Sequence, residues 1–290
     1  MFLLLLLYLL ISFSFILNKE SLSFAQPFFL VGLRLIIAGS LLLIYYKFFR
    51  KQQINIKKKD YWLFALVALA GAFITNSFDL WALQYIYTAK VSLIYMLSPF
   101  FGAAISYIFF KEKLSRAKFL GLLIGLSGLI ILLTGKNGSA YNFSLADIAV
   151  VIASLTTVVG WSAMKVLVDR RSYSPILVNG ISLSIGGIFS MIASIIVEGW
   201  YPLPVTNILY CLTFVIAAAL VAHIIAYNLY AYLLKRYTIV FMTFSSLSTP
   251  LFTAVLSYFL LGEKVSHTFF ISLILIFVGM FFFYKDELKG

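Results

Sequence analysis

The chain has 290 residues, 63% of them hydrophobic and 11% charged, with a mean hydropathy of +1.04 and a net charge of +12. A soluble domain is roughly half apolar and about a quarter charged, so no water-soluble fold hides this much apolar surface and the solvent is lipid. The basic excess sits in short loops between apolar runs, where membrane topology explains it without a nucleic-acid partner.

Each apolar run is long enough to cross ~30 Å of hydrocarbon as a helix. Strands of an outer-membrane barrel would alternate polar and apolar residues; "LLIYYKFF" and "GLLIGLSGLIILL" do not. In chain order the predicted spans lie at 2–18, 27–49, 61–86, 89–110, 118–135, 147–169, 175–197, 206–234, 238–261 and 267–284. The first has no basic flank or A-x-A-like exit, so no cleaved signal peptide is expected. Pro27 and Pro175 suit the first turns of their helices, and Ser115 and Ser266 read as N-caps. With the N-terminus inside, the inner ends carry seventeen Lys and Arg residues; the outer ends carry Lys19, Lys90, Lys136 and Lys264. That bias puts both termini in the cytoplasm of a multi-pass protein of a bacterial inner membrane.

The stretch "SPFFGAAISYIFFKEKLS" at 98–115 returns as "TPLFTAVLSYFLLGEKVS" at 249–266. Aligning 99–119 with 250–270 gives nine identities in 21, and a weaker echo matches Pro27, Gly32 and Gly39 to Pro175, Gly180 and Gly187. Each repeat holds five spans, an odd number, so the second copy enters the membrane upside down. Lys111, Arg116 and Lys118 accordingly give way to Gly262, His267 and Phe269 in an outer loop. The expectation is an all-α membrane protein of ten transmembrane helices in two inverted five-helix repeats, 1–136 and 145–285, with a short cytoplasmic tail at 286–290. Two related halves that exchange inward- and outward-open shapes around one site are the architecture of secondary transporters.

"GLRLIIAGSLLL" (32–43), "GWSAMKVLV" (160–168) and the two "SY…EK-x-S" segments resemble the drug/metabolite transporter superfamily, in its ten-helix EamA-like branch. The resemblance implies a carrier of amino acids, drugs, nucleotide-linked compounds or other metabolites. It also implies a cavity bounded by helices one to four and six to nine, with five and ten peripheral. Arg34 matches the arginine of the family's second helix. The tryptophan-glycine pair often found in span one is absent, and its counterpart survives only as Gly160-Trp161.

Charged groups inside a span are expensive and point to function. Arg34 lies about 10 Å below the outer face at 1.5 Å per residue, and Asp79 and Tyr95 share that depth. One reading makes Arg34 and Asp79 a buried ion pair that fixes packing. The other has Arg34 dock a substrate carboxylate while Asp79 attracts a cationic group; Asp79 is also the candidate for proton coupling. Asn76, one turn before Asp79, shares its face. Pro99 and Pro250 break their helices near mid-membrane, as hinges or simple kinks, each freeing a carbonyl about one turn earlier. Tyr95 and Ser246, four residues before them, are therefore candidates to line the site. His223 falls mid-span, as a structural hydrogen-bonding group or a ligand contact. Trp81, Trp161 and Tyr227 are candidates to stack on a planar or cationic ligand. Gly121-x-x-x-Gly125 permits close helix approach, within the chain or across a homodimer.

Cys211 is the single cysteine, and no HExxH or paired-carboxylate motif is present. No metal, cofactor or catalytic residue is expected, and an embedded enzyme or a channel fits less well than a carrier. The charge layer suits a solute with both a carboxylate and a cation. An amino acid or a derivative such as S-adenosylmethionine leads, against a drug or nucleotide-related exporter of the same family.

Overall fold

Lipid offers a backbone no hydrogen-bond partners, so each apolar run satisfies its own amides as a helix. The computed structural model describes residues 2–110, 115–116, 119–121, 123–124, 127–128, 131, 144–262, 270–271, 273–275, 277–279 and 281. Among these, eight helices are long and apolar enough to cross a membrane. They are α1 (Phe2–Ser21), α2 (Pro27–Phe49), α3 (Lys58–Ala82), α4 (Thr88–Ile108), α5 (Leu145–Arg170), α6 (Pro175–Val197), α7 (Ile208–Leu233) and α8 (Ile239–Leu261). α1 to α4 answer to predicted spans one to four, and α5 to α8 to spans six to nine. Much of spans five and ten, with Gly125, Ser266 and the 286–290 tail, lies outside the described residues. No β-strand is present among the described residues.

Pro27 and Pro175 open α2 and α6, where a missing N–H is no loss. Ser144 and Asp147 form a capping box at the start of α5. Two of the departures from plain α-helix recur between halves. α3 contains a π-helical segment, Val67–Ile74, and α7 another, Ala219–Ala226. α4 tightens to a 3-10 turn at Tyr95–Leu97 and α8 does the same at Ser246–Ser248. Both tight turns precede a proline in the next helical turn. There the N–H of Ser98 reaches Tyr95 O and that of Thr249 reaches Ser246 O. The Ser98 hydroxyl adds a bond to Tyr95 O at 2.6 Å. The carbonyls the prolines would have stranded are thereby satisfied.

α2 and α6 lie against each other through glycines. A Cβ on Gly39 would stand 2.8 Å from Gly180 O, and one on Gly187 would stand 3.0 Å from Gly32 O. Residue numbers rise on one helix as they fall on the other, so the pair is antiparallel. α3 and α5 also run antiparallel, with Gly71 against Gly160 and the Thr75 hydroxyl 2.9 Å from that of Thr156.

The remaining helices sort into two groups, which meet directly where Gly102 of α4 packs against Thr243 of α8. α1 packs chiefly on α7 and α8, and α5 on α3 and α4. Polar ties reinforce each group: Tyr8 donates to Met242 O at 2.5 Å and Ser12 to Thr249 O at 3.1 Å, while the hydroxyls of Ser98 and Ser154 meet at 2.9 Å. Buried apolar side chains form two clusters. One takes Leu4, Leu7, Phe64, Met164 and Leu167; the other takes Phe15, Leu30, Leu80, Ile94 and Val150. The first draws on the start of α1 and α3 and the end of α5, the second on the opposite ends. A polar layer is left between them.

Candidate functional site

A cavity of about 120 Å³ occupies that layer, at the seam between the two helix groups. α1, α3, α4, α5, α7 and α8 all contribute to its wall. Seven of the residues singled out from sequence meet there: Asn76, Asp79, Tyr95, Trp161, His223, Tyr227 and Ser246.

The π-helical segments explain how two of them arrive. A π turn inserts a residue into the helix and re-aims the side chains that follow. Thr75, next after the α3 segment, turns its hydroxyl back to Ala70 O at 2.9 Å, and Asn76 then faces the cavity. His223 sits inside the α7 segment, with Nδ1 3.3 Å from Ala218 O and Nε2 3.2 Å from Asn76 Oδ1.

Asn76 is the hub. Its Nδ2 donates to Ala72 O at 2.8 Å and to Tyr227 OH at 3.2 Å, and its Oδ1 accepts from Arg34 Nη2 at 3.3 Å. Arg34 Nη1 donates to Asn18 Oδ1. Arg34 is 2% exposed and stands one side chain behind the cavity wall, with Nε unpartnered. No ion pair joins it to Asp79 among the described residues; two side-chain amides take the place the ion-pair reading gave to the carboxylate.

Asp79 reaches the wall, 7% exposed, and its Oδ1 has no hydrogen-bond partner. A buried carboxylate without donors is costly unless something completes it. The same cavity wall carries aromatic rings: Trp161 stacks on Tyr230 at 4.0 Å and meets Tyr227 edge-on at 5.0 Å, and His223 lies 5.0 Å from Tyr227. This arrangement accepts a cation through charge and ring faces, and a flat ring system through stacking.

Trp81 does not line the cavity; it packs against Tyr85 at 5.0 Å. Sequence reasoning missed Asn18, Tyr8 and Tyr230, which do line it. Asn18 carried a signal, as an amide beside Lys19 at the end of an otherwise apolar run. Tyr8 and Tyr230 carried none in a chain with 18 tyrosines. Among the described residues no group of His, Cys, Asp and Glu could hold a metal.

The model of the EamA-like transporter family matches residues 1–134 and 144–285. A protein named S-adenosylmethionine/S-adenosylhomocysteine transporter from Chlamydia muridarum is 28% identical over 284 residues, covering 96% of this chain and 89% of its own. One of the same name from Chlamydia trachomatis serovar L2 is 28% identical, covering 96% of this chain and 86% of its own. A protein solved by crystallography superposes with a TM-score of 0.73 at 22% identity, covering 100% of this chain and 98% of that one, and shows the same fold.

Proposed function

The chain belongs to the EamA-like transporter family, and on that premise we propose that it exchanges S-adenosylmethionine for S-adenosylhomocysteine by alternating access across a bacterial inner membrane. The observation that carries this reading is the 28% identity, along 96% of the chain, to a transporter named for that pair of compounds.

The site is compatible with such a substrate. Asp79 supplies an uncompensated carboxylate oxygen for a sulfonium or ammonium, and Trp161, Tyr227 and Tyr230 supply faces for adenine. Arg34 holds the Asn18 and Asn76 amides at the wall. It meets the amino-acid carboxylate once those amides yield to substrate.

The finer architecture belongs to the same proposal: ten helices in two inverted repeats, both termini cytoplasmic, with a homodimer as the assembly the Gly121–Gly125 spacing suggests. Two observations support the inversion. Two pairs of helix breaks recur 151 or 152 residues apart, as a repeat requires. The glycine contacts between α2 and α6 exchange under the sequence shift, Gly39 on Gly180 becoming Gly187 on Gly32. A two-fold axis that maps one helix onto its antiparallel neighbour inverts the second half relative to the first.

Counterflow in proteoliposomes tests the function. Vesicles loaded with unlabelled S-adenosylmethionine should take up labelled S-adenosylmethionine, and S-adenosylhomocysteine should compete better than leucine or adenosine. No trans-stimulated uptake would sink the substrate assignment.

A further inference from the structure

Two lysines reach across the seam at opposite faces of the bundle. Lys19, near the end of α1, places Nζ 2.5 Å from Leu83 O and 3.5 Å from Ile86 O, in the turn between α3 and α4. Lys165, in the last part of α5, places Nζ 2.7 Å from Leu234 O and 3.0 Å from Tyr237 O, in the turn between α7 and α8. The two turns correspond: Leu83 and Ile86 lead to Leu234 and Tyr237 by the 151-residue shift that relates the repeats.

In both places an ammonium neutralises carbonyls left without amide partners at a helix C-terminus, where the backbone carries partial negative charge. The two sites face opposite ways. Lys19 meets the C-terminal end of α3, so α1 and α3 run together. α5 runs against α3, as the Gly71–Gly160 and Thr75–Thr156 contacts require. The end of α5 therefore lies at the other face.

Each clasp also joins the two packing groups. Lys19 sits on α1, which packs with α7 and α8, and grips the α3–α4 turn. Lys165 sits on α5, which packs with α3 and α4, and grips the α7–α8 turn. The cavity lies between the clasps, and both are engaged at once. By contrast, the ion pair of Lys90 with Asp147 at 2.6 Å ties α4 to α5 within one group. Hydrogen bonds of this kind exchange for water without a large penalty once the turn is wetted, because lysine and carbonyl are both well solvated at a membrane edge. Asp169, 3.5 Å from Lys165 Nζ, keeps a partner for that ammonium when the carbonyls leave.

We propose that Lys19 and Lys165 are the two gates of the transport cycle, each holding one face of the cavity shut and releasing when that face opens. The inference rests on the alternating-access reading but not on the identity of the substrate.

The test uses a cavity reporter. Ser98 lines the cavity, and Ser98→Cys in a Cys211→Ala background gives one thiol, labelled by a membrane-impermeant methanethiosulfonate in right-side-out and inverted vesicles. Lys19→Gln should raise labelling severalfold from one face, and Lys165→Gln from the opposite face. Lys19→Arg and Lys165→Arg, which keep the cation, should follow the parent. Monodisperse elution of each variant in detergent separates gating from misfolding. A change from the same face in both variants, or no change in either well-folded variant, overturns the proposal. Because no substrate is present, this outcome is independent of whether S-adenosylmethionine is carried.

Discussion

At the scale of single residues, the site is a contrast between a saturated hub and an unsaturated acid. Asn76 uses both ends of its amide, on Arg34, His223, Tyr227 and Ala72. Asp79, one turn away, leaves Oδ1 without a partner. A charge-assisted contact contributes about 1.5–3 kcal/mol, which is a tenfold or larger effect on affinity. Asp79→Asn keeps the shape and removes the charge. S-adenosylmethionine, with its sulfonium, should then bind at least about tenfold more weakly in counterflow competition, while S-adenosylhomocysteine, a thioether, loses less. If Asp79 also carries the coupled proton, S-adenosylhomocysteine counterflow in this variant persists and stops responding to an imposed pH gradient. Equal loss of both ligands in well-folded protein would place Asp79 on the ammonium they share and not on the sulfonium.

Among the elements, α3 and α5 cross with backbone against backbone. A Cβ on Gly160 would stand 2.4 Å from Gly71 Cα, whereas one on Gly71 would stand 3.1 Å from Gly160 Cα. Gly160→Ala should destabilise the protein by about 1–3 kcal/mol, the usual result of overpacking. Gly71→Ala should be nearly neutral, since a small shift relieves it and alanine favours helix by roughly 1 kcal/mol. Thermal unfolding in detergent ranks the two; equal effects would mean that the helices separate freely here. Sequence identified these helices because apolar length alone decides whether a segment spans. It also located the breaks at Pro99 and Pro250, because a ring nitrogen cannot donate whatever surrounds it. The π segments were not legible. "VALAGAFI" and "ALVAHIIA" read as ordinary helix, and only packing against neighbours, α5 and α6 for the first and α1 and α2 for the second, selects an extra residue per turn. α1 runs to Ser21, three residues past the predicted end, and its Lys19 binds carbonyls of the α3–α4 turn.

For the whole molecule, the legible and the hidden divide along the seam. The sequence similarity between 99–119 and 250–270 starts at Pro99 and Pro250, where backbone geometry constrains the residue types. The cavity wall was visible where a residue was rare, as with Asp79 and His223, or stood one turn before a proline, as with Tyr95 and Ser246; Tyr8 and Tyr230 line it through three-dimensional position alone. Inversion makes a claim that sequence similarity cannot test by itself, namely that positions related by the shift face opposite aqueous phases. Tyr85, in the turn after α3, and Arg236, in the turn after α7, are both exposed and lie 151 residues apart. In a Cys211→Ala background, Tyr85→Cys should react with an impermeant thiol reagent only from outside the cell, and Arg236→Cys only after the inner face is made accessible. Reaction of both from one side would rule out an inverted pair. It would also leave the matched glycine contacts of α2 and α6 without a symmetry to explain them, since an axis that keeps both turns on one face cannot relate antiparallel helices.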